Sequence, residues 1–254
     1  MSETLAEILD AAAEGRFPPD DGSTIVVPQP SRRDAGVVAF TAHSVVFVDE
    51  DPAWVRRALA DVDTDELAAA MNPTFLQALM TRTGRRMDTI DLLTVAGPLA
   101  GPPPVELTEI DDPEHPRVRR ALAHRDDVRV WAADGGVLIL GRDVAGRWEA
   151  AIEVEPAERH RGLGRLLAVA ARHLAPGGGP VWSQQAAGNA RSIRTFQAAG
   201  FRPVGGEALM VPTADRPTAD RPAADLGDRE RDAVEDVVLG RDQELLAGAL
   251  HDDP

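Results

Sequence analysis

The chain of 254 residues contains no cysteine, no tyrosine and no lysine. Without cysteine it has no disulfide framework, no thiol nucleophile and no thiolate ligand for a metal, and we expect no metal site. Without lysine, the P-loop motif that ends in Gly-Lys-Ser/Thr cannot occur. The sequence also lacks any run of about 18 apolar residues, which a membrane-spanning helix requires. These absences favour a globular protein and exclude several classes of active site.

Acidic side chains are in excess, with 42 Asp and Glu against 27 basic residues and a formal net charge of −15. A field of this sign repels nucleic acids and anionic membranes, and it attracts cationic small molecules. The first residues are acidic where a secretory signal peptide is basic, so we expect a cytoplasmic protein. Apolar residues make up 43% of the chain, which is enough to form a buried core.

Composition divides the chain into three regions. Residues 1–100 have a mixed α/β pattern, and a Gly- and Pro-rich break follows them. The pattern of residues 105–212 predicts the order β-α-β-β-β-α-β-α-β-β. Residues 213–254 form an acidic, Pro-rich tail with two TADRP repeats, which we expect to be largely disordered. Within this tail, residues 229–250 are either a solvated segment or a helix that docks on the body.

The segment VEPAERHRGLGRLLAVAARHL joins a predicted strand to a predicted amphipathic helix. Backbone N–H groups at the start of a helix have no intrahelical acceptor and carry partial positive charge, so they suit an anion. Glycine lets a phosphate approach the backbone. The junction is therefore either a phosphate cradle or an ordinary Gly-rich turn, and Leu167 stands where a dinucleotide-binding fingerprint needs a third small residue. The residues at the junction are Arg159, His160, Arg161, Gly162, Leu163, Gly164 and Arg165.

Two motifs resemble the GNAT superfamily of acyl-CoA-dependent N-acyltransferases. VEPAERHRGLGRLL resembles motif A of that family, and NARSIRTFQAAGFRPVG resembles motif B. They occur in the right order, with one helix and one strand between them, so the resemblance covers about 105–212. It implies an α/β (α+β) fold, with a mixed, mostly antiparallel sheet flanked by helices. The region 1–100 is then a smaller α/β N-terminal domain or a degenerate copy of the same fold.

The resemblance also implies acetyl-CoA as the cosubstrate, with its pyrophosphate on the 159–165 loop. Its pantetheine arm would lie where the fourth strand, residues 148–154, splays from the fifth. The further residues assigned to this site are Ile152, Val154, Asn189 and Phe196. Many members carry a tyrosine at the position of Phe196, as general acid for the leaving thiolate. Here the thiolate would need water, another donor or no acid.

Two glutamates of the fourth strand are candidates for the base that deprotonates an acceptor amine. Alternation places Glu149 and Glu153 on one face, about 13 Å apart at ~3.3 Å per residue. A pantetheine arm of roughly 15 Å spans four to five strand residues and reaches Glu149. We therefore predict Glu149 as the base, and we expect the neighbouring apolar residues to raise its pKa.

The leading interpretation is an acetyl-CoA-dependent N-acetyltransferase, monomeric or homodimeric, that acts on a small or peptidic amine. The acidic surface favours a cationic acceptor. The alternative is a non-catalytic acyl-CoA sensor with the same fold. Ser183 and Gln185 either line the acceptor side or cap the fifth strand, and His124, His160 and His173 are expected at the surface.

Overall fold

The structure, a computed structural model, describes residues 3–213 apart from positions 113, 115, 123 and 124. Its helices are α1 (Leu5–Ala13), α2 (Pro52–Ala60), α3 (Glu66–Ala69), α4 (Pro73–Thr83), α5 (Pro116–Leu122), α6 (Leu163–His173) and α7 (Ala190–Ala198). Its strands are β1 (Thr24–Val27), β2 (Ala35–Phe40), β3 (His43–Phe47), β4 (Arg85–Arg86), β5 (Asp91–Ala96), β6 (Thr108–Glu109), β7 (Asp126–Ala133), β8 (Gly136–Arg142), β9 (Trp148–Val154), β10 (Val181–Ala186) and β11 (Arg202–Pro212).

Side chains that flank the helices explain where several of them begin and end. The Asp51 carboxylate accepts a hydrogen bond from the N–H of Ala53 at 2.9 Å, and the next residue is a proline. Asn72 caps α4 in the same way, by accepting from the N–H of Thr74 at 2.9 Å. Gly84 ends α4 in the left-handed conformation. These helices therefore start and stop where local sequence signals place them.

The strands form one mixed sheet in the order β1-β3-β2-β11-β5-β10-β9-β8-β7-β6, and β4 pairs with β11 beside this path. The pairs β1–β3 and β9–β10 are parallel, and the other pairs are antiparallel. The predicted mixed, mostly antiparallel sheet flanked by helices is confirmed.

The sheet has two faces, which we call front and back. Helices α2, α4, α6 and α7 pack on the front face, and α1 and α5 pack on the back face. Along β9, Ile152 and Val154 pack with the α6 and α7 cluster, whereas Ala151 packs with the α5 cluster. Glu149 and Glu153 share the parity of Ala151, so they belong to the back face.

Strands from the first two predicted regions alternate in this sheet. β5, which precedes residue 100, lies between β10 and β11, and β2 pairs with the far edge of β11. Both regions thus contribute to one sheet, and the domain boundary near residue 100 stays a prediction. No helix among the described residues is long and apolar enough to cross a membrane.

One detail of the predicted element order was wrong. A single strand, β11, follows α7 where two were predicted, and it continues through a register shift between Pro203 and Gly205. The first strand predicted in residues 105–212 is present but short, Thr108–Glu109, and it pairs with β7. The predictions for His124 and for the tail beyond position 213 lie outside the described residues.

Candidate functional site

The crevice between β9 and β10 is the central feature of the candidate site. These parallel strands share one register pair, Trp182 opposite Glu149, among the described residues. β9 pairs with β8 along its full length, and β10 pairs with β5 along its own. The two strands therefore meet at one end and diverge toward their C-terminal ends, as predicted. The edge of β9 from Ala150 to Val154 faces the crevice.

The junction after β9 wraps the open end of this crevice. The chain makes a short 3₁₀ turn at Pro156–Glu158 and enters α6 through Gly162. His160 and Gly162 have positive φ angles of 66° and 88°. Such left-handed residues curl a loop so that successive N–H groups converge, which favours anion binding. Gly162 caps α6 without a side-chain hydrogen bond, so the first N–H groups of the helix have no capping acceptor there.

Gly164 lies close to side chains of both β9 and α7. A Cβ atom built on it would lie 3.5 Å from Thr195 and Val154 and 3.6 Å from Ile152, which are ordinary contact distances. One built on Gly162 would meet no heavy atom within 4 Å. The predicted residues Ile152, Val154 and Gly164 thus come together, and Gly162, two residues before Gly164, has open space beside the backbone.

The arginines of the junction differ in their environment. Arg159 is the most anchored, because its Nε donates to the carbonyl oxygen of Val154 at 3.3 Å. Arg161 bonds both carboxylate oxygens of Glu158 at 3.2 Å and is exposed. Arg165 is also exposed. His160 is exposed as well, whereas Leu163 is half-buried and packs against the front-face cluster.

Motif B forms the second wall of the site. Asn189 caps α7 by accepting a hydrogen bond from the N–H of Ser192 at 3.0 Å, and its side chain is exposed. Phe196 is only 2% exposed and packs edge-on against Phe201, with ring centroids 5.0 Å apart. Within α7, Thr195 is the side chain that lies at Gly164. Phe196 is therefore part of the core beneath the site.

Glu149 lies at the closed end of the crevice, on the back face. It is 2% exposed, and each of its carboxylate oxygens accepts from an arginine: Arg125 Nη2 at 2.6 Å and Arg147 Nη2 at 3.2 Å. Arg147 also donates two hydrogen bonds to Glu207, at 2.9 and 2.6 Å. Gln184 donates a further one to Glu207. We call these five residues the buried ion network.

The pKa values of the two glutamates in the network are shifted in opposite directions. Burial by itself raises the pKa of Glu149, but Arg125 and Arg147 outweigh it and lower the pKa below its ordinary value. The predicted rise was wrong, because it considered only the apolar neighbours of Glu149. Burial raises the pKa of Glu207 despite the opposing effect of Arg147.

Two aspartates next to the network also have raised pKa values. Burial, reinforced by the Glu149 charge, raises the pKa of Asp143 to about 7, and its Oδ2 lies 3.4 Å from Arg125 Nε. Burial and then the Glu207 and Glu149 charges raise the pKa of Asp91 to about 6. Asp91 is the register partner of Glu207 and forms no salt bridge within the part of the chain that the structure describes. Burial thus brings both carboxyls near the operating range of a general base.

Sequence reasoning missed most of this network. Arg147 lies in the turn before β9, and its partner Glu207 is 60 residues away, so no local spacing indicates the pair. Glu153, the other candidate base, is half-buried and lies toward the open end of the crevice. His160 is exposed, as predicted, whereas His173 is half-buried, and its Nδ1 is 3.0 Å from the carbonyl oxygen of Gly101.

Ser183 and Gln185 follow the closed end of the crevice on β10. Both are buried, at 1% and 3% exposure, and Gln185 Nε2 donates to Ser183 Oγ at 2.6 Å. They share the parity of Val181, which belongs to the front-face cluster, so neither lines the back face with Glu149.

A cavity of about 650 Å³ adjoins the network on the side of α1. Three aspartates, Asp34, Asp126 and Asp143, line it together with Arg33 and Arg142. No group of three or more His, Cys, Asp or Glu side chains among the described residues is arranged to hold a metal ion.

No protein-family model matches the chain, and no curated protein matches it. Solved structures to which it is similar include GNAT proteins. A GCN5-related N-acetyltransferase from Kribbella flavida is 17% identical, with a TM-score of 0.42, over 84% of this chain and 97% of that one. One from Sphaerobacter thermophilus is 16% identical, with a TM-score of 0.33, over 54% and 55%. A tandem GNAT protein from the clavulanic acid biosynthesis pathway is 15% identical, with a TM-score of 0.36, over 53% and 57%.

Proposed function

We propose that the chain is an N-acetyltransferase that moves an acetyl group from acetyl-CoA to an amine. The observation that carries this proposal is the crevice between β9 and β10, with the 159–165 junction at its open end. A pyrophosphate placed there meets converging N–H groups, the positive end of α6 and nearby guanidinium groups. Gly162 leaves open space beside the backbone for such a group.

The pantetheine arm would extend from the junction along the free edge of β9. Backbone N–H and C=O groups of an unpaired strand edge form hydrogen bonds with an extended partner, as in β-augmentation. The arm's two amides suit this role. About 15 Å of arm spans four to five residues of strand and brings the thioester to Ala150 and Glu149. The closed end of the crevice is thus the proposed reaction centre.

The acceptor amine would approach this centre from the back face, where carboxylates surround it. The network and its neighbours hold two arginines, Arg125 and Arg147, and four carboxyl groups, which are those of Asp91, Asp143, Glu149 and Glu207. This excess of carboxyl groups favours a cationic acceptor. Attack requires the neutral amine, and a general base contributes roughly 10²–10⁴ in rate.

We keep Glu149 as the proposed proton acceptor, acting directly or through one water. Its lowered pKa keeps it ionised at neutral pH but makes it a weak base, and both oxygens already bind arginines. Asp91 is the second candidate, because its pKa of about 6 is better matched to proton transfer near neutrality. The pH dependence of turnover distinguishes the two.

The alternative function is an acyl-CoA sensor without catalysis. Two observations favour it: Phe196 has no proton to donate, and the arginines occupy both oxygens of Glu149. A sensor would bind coenzyme A and release no thiol with any amine. An enzyme would release the thiol with at least one class of amine.

The binding step can be tested with two glycine variants. Gly162→Val should weaken coenzyme A binding at least tenfold, about 1.4 kcal/mol, because a side chain would occupy the cradle and strain the loop. Gly177→Val is the matched control, since Gly177 also has a positive φ and open space around it but lies beyond α6. Calorimetry with coenzyme A measures both. Equal affinities for coenzyme A in the two folded variants would contradict the proposal that the junction is a phosphate cradle.

Thiol release from acetyl-CoA, measured over a panel of primary amines that includes polyamines and basic peptides, then tests turnover. Faster release with cationic acceptors than with neutral ones would support the role of the back-face carboxylates. Absence of release with every amine, in a protein that binds coenzyme A, would favour the sensor.

A further inference from the structure

Ser183 and Gln185 are polar residues on a face of β10 that otherwise packs into an apolar core. The preceding front-face residue, Val181, is fully buried in the cluster formed with α6 and α7. Ser183 and Gln185 are buried almost as completely. A valine at either position would fill the same kind of space without a polar group to satisfy. The polar pair therefore needs a reason other than packing.

One atom of this pair lacks a partner. Gln185 Nε2 donates to Ser183 Oγ at 2.6 Å, but Gln185 Oε1 has no hydrogen bond among the described residues. Buried side-chain oxygens are nearly always bonded, and leaving one unbonded costs free energy. The amide of Gln185 fills an acceptor position of the Ser183 hydroxyl. The hydroxyl hydrogen is not used in that bond, so it can be donated elsewhere.

The position of Ser183 in the sheet indicates which group can accept a hydrogen bond from its hydroxyl. Ser183 follows Trp182, the residue of β10 that pairs with β9, so it stands at the closed end of the crevice. It is on the front face, as are Ile152, Val154 and the α7 helix that carries Thr195. An arm that enters at the junction and runs along β9 ends beside this residue. The group nearest Ser183 would be the thioester sulfur.

Resting on the proposed acyl transfer, we propose that Ser183 donates a hydrogen bond to the sulfur of the leaving coenzyme A thiolate, with Gln185 as its positioning residue. The amine nitrogen forms a bond to the acetyl carbon, and the C–S bond breaks with its electron pair going to sulfur. The proton of the amine leaves to the back-face carboxylate and then to solvent. Ser183 stays protonated and stabilises the sulfur anion, which solvent later protonates.

This role fits the chemistry of the two groups. A thiol with a pKa near 8.5 is a far stronger acid than a serine hydroxyl, so the thiolate accepts a hydrogen bond without removing the proton. A hydrogen bond to the charged form of a group lowers its pKa. Ser183 should therefore lower the pKa of the bound thiol, whether or not an acceptor is present. Phe196, the aromatic residue of motif B, has no hydrogen to donate in this way.

The test compares Ser183→Thr with Ser183→Val, which differ only in the hydroxyl group, using free coenzyme A as the probe. Thiolate absorbance in the ultraviolet, followed as a function of pH, gives the pKa of the bound thiol. We expect Ser183→Thr to match the wild type and Ser183→Val to raise that pKa by about one unit, a tenfold change in ionisation. With a productive amine, kcat should fall roughly 10-fold to 100-fold in Ser183→Val, with KM changed little.

Gln185→Glu provides a second measurement. A carboxylate at this position accepts the hydroxyl hydrogen of Ser183 and adds negative charge, so the pKa of the bound thiol should rise there too. If Ser183→Val does not fold, Ser183→Ala replaces it.

An unchanged thiol pKa in a folded variant that lacks the hydroxyl would overturn the role of Ser183. The proposed transfer fails separately, when the wild type binds coenzyme A but releases no thiol with any amine; the thiol titration still tests Ser183 in that case. A wild type that does not bind coenzyme A would overturn both.

Discussion

Replacing Arg147 by methionine would leave two buried carboxylates, Glu149 and Glu207, without the cation that they share. Removing one partner of a buried ion pair typically costs about 3–5 kcal/mol, because the remaining charge stays desolvated. Arg147 also lies over the Trp182 ring, with Cζ 5.6 Å from its centroid, and this contact is lost as well. For a body of this size, 1 kcal/mol corresponds to about 2–4 °C in Tm. We therefore expect Tm to fall by roughly 6–20 °C.

The loss of stability in Arg147→Met should increase with pH. In the variant, Glu207 loses the cation that opposes the effect of burial on its pKa, and Glu149 keeps only Arg125, so both folded pKa values rise relative to the wild type. A carboxyl with a raised folded pKa destabilises as pH increases from its unfolded value of about 4.3 through the folded one. In the wild type, the lowered pKa of Glu149 contributes stability above that range and loses it as pH falls. Both effects make the difference in unfolding free energy between the wild type and the variant larger at pH ~8 than at pH ~5.

Urea unfolding of the full chain at these two pH values measures the difference. The matched control is Arg142→Met, which also removes a guanidinium above an indole, with Cζ 4.6 Å from the Trp148 centroid. Arg142 is 43% exposed and pairs with the exposed Asp127, so its loss should cost at most about 1 kcal/mol. Equal losses in the two variants, or a loss at Arg147 that does not grow with pH, would refute the role assigned to the buried charges.

Three further predictions concern the site. Asn189→Ala should destabilise the protein by about 1 kcal/mol in urea unfolding, because α7 loses its cap, and Asn189→Ser should restore most of it; no loss would show that the cap is unimportant. If Asp91 accepts the proton, kcat/KM, corrected for ionisation of the amine, should decline below pH about 6, and Asp91→Asn should remove that decline. If Glu149 accepts it, activity should persist down to a lower pH, and Glu149→Gln should lower kcat/KM roughly 10²-fold at pH 7; full activity in both variants would exclude both carboxylates.

Features that depend on neighbouring residues could be predicted from the sequence. The caps at Asp51 and Asn72 and the αL glycine at position 84 are local signals, and each defines a helix end in the structure. The junction after β9 is also local, since Gly162 and the helix that follows it are contiguous.

The environment of the candidate base could not be predicted in this way. The pKa of Glu149 depends on Arg125, which is 24 residues away, and on an arginine that also binds Glu207, another 60 residues along the chain. Alternation along β9 placed Glu149 on the same face as Glu153 but indicated nothing about its partners. In the same way, alternation along β10 shows which residues share a face with Ser183, whereas the burial of Ser183 depends on how α7 packs over β10.

The place of β5 in the sheet has a consequence for biogenesis. β5 ends at Ala96, and its two neighbours, β10 and β11, begin only at Val181 and Arg202. During synthesis both edges of this strand stay unpaired until nearly the whole described chain has left the ribosome. Pairings of such long sequence separation form slowly. The wall of the crevice that β10 provides is therefore among the last parts of the molecule to form, and the proposed binding of coenzyme A would require nearly the whole described chain.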